Sequence, residues 1–572
     1  MKPSSPFMPA LLVIAALSLA PSSLLAAFPD GGIIRREIGD RIHEIPDVKP
    51  VSPLAPPDTA RQAPRAPQMK ISVKKFTIRG ATLFTAAELE ALVALPVTRE
   101  LTLDEMQDAA RKITNYYAAR GWLAQALIPA QDVARGVVTI QVIEAKLGTV
   151  EIESQKGVRL RRDIASAFVT SYQPTGEIIR IRDLETGLLL LQDTPGARSS
   201  ALIRPGSAPS TVDALITLER TPLLSGSAGV DNFGGISTGE HRANASLNIN
   251  SPTCVGDRLS LKTLYSEGIN YSRALYTRPI HNRGTSLGIS ASALTYRLGG
   301  EFAALSATGQ STTAGAFISH PLILNRNSVL FGTIGYDYRL FVDESASATT
   351  SDKSLRSCNA SLSGSWYDTL LGGGFMSAVA TLTVGAVDLS RMPDLLQRDL
   401  AGPGTNGQYE KVNLSLSRTQ QLVARSLMLT LSCSGQLASG NLDSSEKFIL
   451  GGPDGVRAYS TSEGAGDEGL LASAELRSDI TPAIQLSGFF DYGLLRQYVK
   501  PWPGWTTDAA QPNTYSLNGI GVGLRFRPLA ACTIKTSLAT RLAANPAAGT
   551  SGMDHDGTKR TPRFWIETAY TF

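Results

Sequence analysis

A chain of 572 residues is long enough for several domains, but only 18% of its residues are charged, whereas 52 are glycine. Its 54 basic and 50 acidic residues nearly balance, leaving a formal net charge of +4. Nucleic-acid-binding domains usually carry a dense basic face, so this balance argues against nucleic acid as a partner.

The distribution of cysteine and histidine argues against a catalytic or cofactor site. The cysteines lie far apart and lack the spacing of zinc or redox motifs, so we expect no metal or cofactor. The five histidines are scattered over termini, turns and loops and have no paired nucleophile, so the sequence gives no support for an enzyme. We expect Cys254, Cys358, Cys433 and Cys532 to be small apolar fillers.

The first segment has the pattern of a secretory signal peptide, which we place at residues 1–27. Lys2 precedes an apolar stretch from Leu11 to Ala20, and Pro21 and small residues follow. The alternative is a membrane anchor, but the apolar stretch is shorter than the roughly 20 residues that a spanning helix needs. We therefore expect the mature chain to begin near Phe28.

Two short segments precede the first folded domain. Residues 28–45 contain isoleucines spaced by four, which favours a short amphipathic helix, although a disordered tail is the alternative. Those isoleucines are Ile34, Ile38 and Ile42. Residues 46–69 are rich in proline, which fixes an extended backbone and removes hydrogen-bond donors, and this composition is typical of a linker.

Residues 70–146 and 147–220 predict two similar small α/β domains in tandem. The first domain reads as a strand, two helices and two strands, with Thr85 and Thr102 each preceding a glutamate in a capping box. The second domain repeats this order of elements in residues 148–219, which suggests a structural duplication.

From residue 221 to residue 572 the helical periodicity disappears, and segments of about ten residues alternate apolar with polar or small side chains. Ser328 to Leu340 shows the pattern, since Ile334, Tyr336 and Tyr338 fall on one face and Asp337 on the other. Short turns alternate with longer polar connections, as in bacterial outer-membrane barrels. A soluble β-sandwich or propeller is the alternative. We predict a membrane β-barrel of about 16 antiparallel strands, which start near residues 223, 240, 256, 269, 284, 311, 328, 354, 373, 408, 425, 469, 483, 514, 531 and 564. The longer connections are expected at residues 295–310, 341–353, 388–407, 438–468, 494–513 and 542–563.

The candidate site lies in the connection 438–468 and the two strands that follow it. A glycine-rich turn there presents Val456, Arg457, Ala458 and Tyr459. Alternation places Glu475 and Asp491 opposite the apolar faces of their strands, so both carboxylates should point into the barrel, where a guanidinium could pair with them. The alternative is that Arg457 is an ordinary solvated loop residue that faces outward.

These motifs resemble those of the two-partner secretion transporters of the outer membrane, the haemolysin and filamentous haemagglutinin secretion/activation family, which has POTRA domains. Residues 456–459 are similar to the family's Val-Arg-Gly-Tyr loop motif, with Ala458 in place of its glycine. Phe489, Asp491 and Gly493 match its Phe-x-Asp-x-Gly strand motif. The resemblance covers essentially the whole mature chain.

The resemblance implies that the protein lies in the outer membrane with its two POTRA domains in the periplasm. It implies that these domains capture an unfolded secreted exoprotein, a haemolysin or an adhesin, and that the barrel conducts it outward. The helix in residues 28–45 would plug the resting pore. Further expected partners are outer-membrane lipid and lipopolysaccharide, periplasmic chaperones and the barrel-assembly machinery. Two alternatives remain: an insertase of the same superfamily, and a passive porin.

Overall fold

The computed structural model describes residues 29–38, 70–95, 98–133, 135–423, 426–505, 512–548 and 552–572. The predicted signal peptide, the linker and Ile42 therefore lie outside the described residues. In the described part of the predicted amphipathic segment, the helix α1 spans Gly31–Glu37. Asp30 caps it by accepting a hydrogen bond from the amide of Ile33 at 2.9 Å.

Domain 1 has a three-stranded sheet in the order β2-β5-β4, in which β2 and β5 run parallel, and a separate pair of β1 with β3. Two helices cover the sheet and bury Ile113 and Tyr117 against it. The single strand predicted at residues 71–78 is broken after Val73, and the strand at 99–101 was not predicted. The elements are β1 Ile71–Val73, β2 Lys75–Arg79, α2 Ala86–Leu92, β3 Arg99–Leu101, α3 Leu103–Ala119, β4 Ala124–Leu127 and β5 Val137–Glu144.

The capping residues of domain 1 determine where its two helices begin. Thr102 and Glu105 form the reciprocal capping box that starts α3. Thr85 caps α2 with one bond from the amide of Glu88, at 3.3 Å, but Glu88 reaches instead to the hydroxyl of Tyr116. At the end of β5, burial raises the pKa of Glu144, but hydrogen bonds from Thr82, Leu83 and Tyr117 outweigh burial and leave that pKa below its ordinary value.

Domain 2 repeats the plan of domain 1, as predicted, with a sheet in the order β6-β8-β7 and β6 parallel to β8. Two helices pack on one face of that sheet around Phe168 and Leu191. The strand β7 is an edge strand, and its Leu202 is 61% exposed. The elements are β6 Lys146–Ser154, α4 Arg162–Thr170, α5 Ile181–Asp193, β7 Ala197–Pro205 and β8 Thr211–Arg220.

The rest of the chain forms a closed antiparallel barrel, in which the last strand pairs with the first. Within the described residues the barrel has sixteen strands, which confirms the predicted fold class. They are β9 Leu224–Asp231, β10 Arg242–Asn250, β11 Arg258–Tyr265, β12 Ile269–Pro279, β13 Ser286–Arg297, β14 Thr308–Leu324, β15 Ser328–Ser345, β16 Ala348–Asp368, β17 Gly374–Asp388, β18 Gly407–Val423, β19 Leu427–Ala438, β22 Glu468–Asp479, β23 Ile484–Arg496, β24 Thr514–Leu529, β25 Cys532–Arg541 and β26 Arg563–Thr571.

One predicted connection is wrong. Residues 341–353 were expected to form a long loop, but β15 runs to Ser345 and β16 begins at Ala348, so a tight turn joins them. The polar residues Asp343 and Lys353 face into the barrel and are buried there, so their polarity marks the inner face of two strands rather than a loop. Connection 389–406 contains a further helix, α6 Pro393–Ala401.

Side chains alternate along the barrel strands as the sequence predicted. Residues on the outer face are apolar and exposed in the isolated chain, such as Ile334 at 71% and Val522 at 61%. Asp337 and Asp491, on the inner face, are buried. An apolar outside and a polar inside are the arrangement that a strand needs in a bilayer. In the described part of the chain, no helix combines the length and apolarity required of a membrane-crossing helix.

Candidate functional site

The connection between β19 and β22, residues 439–467 and here called the long loop, folds back into the barrel. Its short strands β20 Phe448–Ile449 and β21 Ala465–Gly466 pair with each other. Leu450, Val456 and Tyr459 are fully buried against β23 and β24, together with Leu495 and Leu517 from the wall. The long loop is therefore a packed element of the barrel interior rather than a solvated connection.

Arg457 is brought to the wall by this loop and meets both predicted carboxylates. Its Nη2 lies 2.8 Å from Oδ1 of Asp491 and its Nε 2.9 Å from Oδ2, which makes the pair bidentate. Its Nη1 lies 3.0 Å from Oε2 of Glu475, and Nη2 also donates to Ser473 at 3.2 Å. We call this group, Arg457 with Ser473, Glu475 and Asp491, the clasp.

Several further contacts fix the clasp in one geometry. The guanidinium carbon lies 3.2 Å from the ring centroid of Phe489, and a planar guanidinium stacks there as an ammonium cannot. The backbone of Arg457 is held as well, because its amide donates to Asp491 at 3.1 Å and its carbonyl accepts from Trp565 at 2.8 Å. The outward-facing alternative for Arg457 is wrong.

Glycines in the barrel wall make room for the loop motif. A Cβ on Gly493 would lie 3.0 Å from Val456 Cγ2, and a Cβ on Gly519 would lie 2.6 Å from the Cβ of Ala458. A Cβ on Gly521 would lie 2.4 Å from the Phe489 ring. Ala458, which replaces the family's glycine, does not appear among the described residues with positive φ, so its side chain needs space in the wall rather than an unusual backbone.

Helix α1 lies inside the barrel, between the long loop and inward-facing residues of β14, β15 and β16. Lys353 contacts Asp30 at 3.2 Å, and the amide of Gly31 donates to Asp343 at 3.2 Å. Arg36 donates to the carbonyl of Lys447 in the long loop at 2.9 Å. Ile34 is fully buried in an apolar cluster of the wall, and Ile38 packs against it. The wall residues of this cluster are Leu264, Ile269, Tyr271, Leu294, Tyr296 and Leu298.

The stem of the long loop carries a second set of ion pairs that sequence reasoning missed. Glu446 contacts Lys411 at 2.7 Å and also Arg339, and Lys353 contacts Asp443 at 2.7 Å. Lys447 and Asp467 pair at 2.7 Å within the loop. The wall partners of Asp443 and Glu446 lie in β15, β16 and β18, which are far from the loop in the sequence. No local motif could therefore predict these ion pairs.

A closed barrel with an apolar exterior, two N-terminal α/β domains and an infolded loop defines an outer-membrane transporter. The family model described as haemolysin secretion/activation protein ShlB/FhaC/HecB matches residues 211–526, and the ShlB-type POTRA domain matches residues 71–145. The chain belongs to this haemolysin secretion/activation family. It is a transporter of two-partner secretion, which moves an exoprotein across the outer membrane, and its α/β domains lie in the periplasm.

Individual relatives agree with this assignment. The chain is 27% identical to the heme/hemopexin transporter protein HuxB of Haemophilus influenzae strain 86-028NP, over 92% of this chain and 94% of that protein. It is 25% identical to the outer membrane transporter CdiB of Dickeya dadantii, over 73% and 74% of the two chains. The structure of CdiB from Escherichia coli covers all of both chains with a TM-score of 0.68 at 20% identity, which shows a shared fold.

Proposed function

We propose that the barrel exports the exoprotein along the space now occupied by α1, while the clasp keeps the long loop against the wall. The contact of α1 with β14 to β16 and with the long loop supports this division. The helix fills part of the lumen, whereas Arg457 and Asp491 lie on the wall formed by β22 and β23. The observation that carries the proposal is the position of α1 inside the barrel.

We propose that the unfolded exoprotein first binds in the periplasm, at an exposed sheet edge. The strand β7 of domain 2 is an edge strand with exposed Leu202 and Ile203, and an unfolded chain adds to such an edge through backbone hydrogen bonds. We assign the domains as residues 70–146, 147–220 and 221–572 because the two small sheets and the barrel are separate sheets. Because HuxB is named for heme and hemopexin transport and matches nearly the whole chain, an exoprotein of that kind is one candidate cargo.

We also propose lipid and assembly partners for the barrel, and export without catalysis by this chain. A barrel with an apolar exterior requires outer-membrane lipid and lipopolysaccharide around it, and periplasmic chaperones and the barrel-assembly machinery to reach the membrane. Among the described residues there is no group of three or more potential metal ligands. We propose that export needs no catalytic step by this chain.

Deletion of residues 28–45 tests the role of α1. We expect the deleted protein to show several-fold higher conductance in planar bilayers than the full chain, because the helix no longer fills the lumen. Coexpression with a candidate exoprotein tests export, which we expect only when the transporter is present. Unchanged conductance would show that α1 does not block the pore, and export without the transporter would contradict the function itself.

A further inference from the structure

A cleft of about 450 Å³ lies where domain 2 meets the rim of the barrel. The rim is fixed to the domain by backbone contacts: the Ser171 hydroxyl donates to Asn282 at 3.0 Å and the Tyr172 hydroxyl donates to Arg283 at 3.0 Å. On the other side, the Thr186 hydroxyl donates to the carbonyl of Leu324 at 3.0 Å. Hydrogen bonds between domain 2 and the barrel therefore hold both sides of the cleft in place.

The charge of this cleft is strongly positive. Arg120, Arg180, Arg182 and Arg283 line it, all four exposed, and Asp183 is the acidic residue among the lining residues that the structure describes. In the described part of the chain none of the four arginines is paired with a carboxylate. Three of them lie over aromatic rings: Arg120 is 3.5 Å from the centroid of Tyr116, Arg180 is 4.6 Å from that of Trp122, and Arg283 is 5.9 Å from that of Tyr172. Four guanidinium groups therefore line one cleft, and Asp183 is the single carboxylate among its described lining residues.

The cleft opens on the outside of the barrel, at the periplasmic edge of the lipid-facing surface. His320, which lines it, pairs across the sheet with Gly332, on the same outer face as Ile318 and Ile334. Ile318 is 49% exposed and lies two residues along the strand, which is about 7 Å. Leu322, 53% exposed, also lines the cleft. Apolar side chains that face acyl chains therefore end where the arginines begin.

We infer that this cleft binds the phosphate headgroup of an anionic phospholipid in the periplasmic leaflet, and so holds domain 2 at the membrane surface. Guanidinium groups bind phosphate through paired hydrogen bonds, and basic side chains beside a membrane favour anionic lipid. The apolar Leu322 and Ile318 would contact the acyl chains of the same lipid. An acidic peptide segment would satisfy the arginines but would leave this apolar border without a partner, so the lipid is the better fit.

The test compares full-length proteins in nanodiscs of phosphatidylcholine containing a minor fraction of phosphatidylglycerol. The variant is Arg182→Ser with Arg283→Ser, and native mass spectrometry or a spin-labelled phosphatidylglycerol measures how much anionic lipid stays with the protein. A control of equal charge change, Arg79→Ser with Arg198→Ser, removes two exposed arginines away from the cleft, one in each periplasmic domain. We expect the variant to lose at least about fivefold of the phosphatidylglycerol enrichment, and the control to keep it.

A second variant, Arg182→Lys with Arg283→Lys, keeps the charge and should retain most of the enrichment, which separates binding from misfolding. Wild-type protein that shows no preference for phosphatidylglycerol over phosphatidylcholine would overturn the inference. Equal loss in the variant and the control would overturn it too, because the preference would then be a general charge effect. A glutamate-rich peptide that binds the wild type but not the variant, while lipid enrichment is unchanged, would assign the cleft to the exoprotein instead.

Discussion

Helix α1 and the clasp both lie inside the barrel. They differ in whether the residues they contact keep another charged partner when the contact is lost. Arg457 is the cation that pairs bidentately with Asp491, whose side chain is 1% exposed. Without Arg457 that buried carboxylate would lose its guanidinium partner, which is costly in a confined site. This cost stabilises the clasp in its observed position.

The ion pair between α1 and the wall leaves its wall partner paired when the helix departs. Lys353, which contacts Asp30 at 3.2 Å, also contacts Asp443 of the long loop at 2.7 Å. The helix is only seven residues long, and such a short helix is marginal by itself. We therefore expect the loop to stay in place when the helix leaves the pore.

The largest effect is expected from Arg457→Ala. We expect secretion of the exoprotein to fall by about tenfold or more, because losing one partner of a buried ion pair costs about 3–5 kcal/mol and frees the loop from the wall. The barrel should still reach the membrane and show a heat-dependent shift on a gel, since its strands and closure are untouched. Quantifying exoprotein in the medium against transporter in the membrane measures the effect.

Two further variants sharpen that result. Arg477→Ala is the matched control, since Arg477 contacts Glu475 at 2.9 Å but does not contact Asp491, and we expect nearly normal secretion. Arg457→Lys should be intermediate because an ammonium keeps the charge but not the bidentate geometry or the stacking on Phe489. Normal secretion by Arg457→Ala would show that the clasp has no role in export.

The packing of the motif on the wall gives a second prediction of intermediate size. Gly519→Ala places a methyl group 2.6 Å from the Cβ of Ala458, and overpacking of this kind costs about 1–3 kcal/mol. We expect the temperature at which the folded barrel converts to the unfolded gel form to fall.

The reciprocal change provides the check. In Ala458→Gly with Gly519→Ala the methyl group moves from the loop to the wall, so most of the lost stability should return. Gly488→Ala on the same wall meets nothing within 4 Å and should have little effect. If the double variant is no more stable than Gly519→Ala alone, the two positions are not coupled and the packing argument is wrong.

Much of this architecture follows from the sequence because it rests on local patterns. Alternation of side chains with a period of two predicted the sixteen barrel strands and the inward position of Glu475 and Asp491. The same rule failed at Asp343 and Lys353, because a polar residue that faces the lumen resembles a polar residue in a loop.

Apart from the pairing of Arg457 with Glu475 and Asp491, the contacts inside the barrel were not predicted. Trp565 and Gly519 contact the loop motif, and Glu446 contacts Arg339 and Lys411, only because the barrel closes with a particular register. No spacing in one strand specifies which residue of another strand will lie opposite. Strand alternation and the two family motifs singled out Arg457 and Asp491 but not these neighbours, since both rest on short local patterns.

The smallest effect is expected from Gly32→Ala in α1, and it tests whether the helix is held by close packing on the long loop. An added Cβ would lie 2.4 Å from the Ser444 hydroxyl oxygen and 2.6 Å from the Ser445 amide nitrogen, so the helix must shift away from the loop. Alanine favours helix formation over glycine by about 1 kcal/mol, so any loosening cannot come from a weaker helix. We therefore expect planar-bilayer conductance to rise, but less than after deletion of residues 28–45, and Gly440→Ala in the same loop to leave it unchanged. Conductance equal to that of the unaltered protein would mean that the helix has room to tilt without leaving its position, and the close contact with Ser444 would then not restrain it.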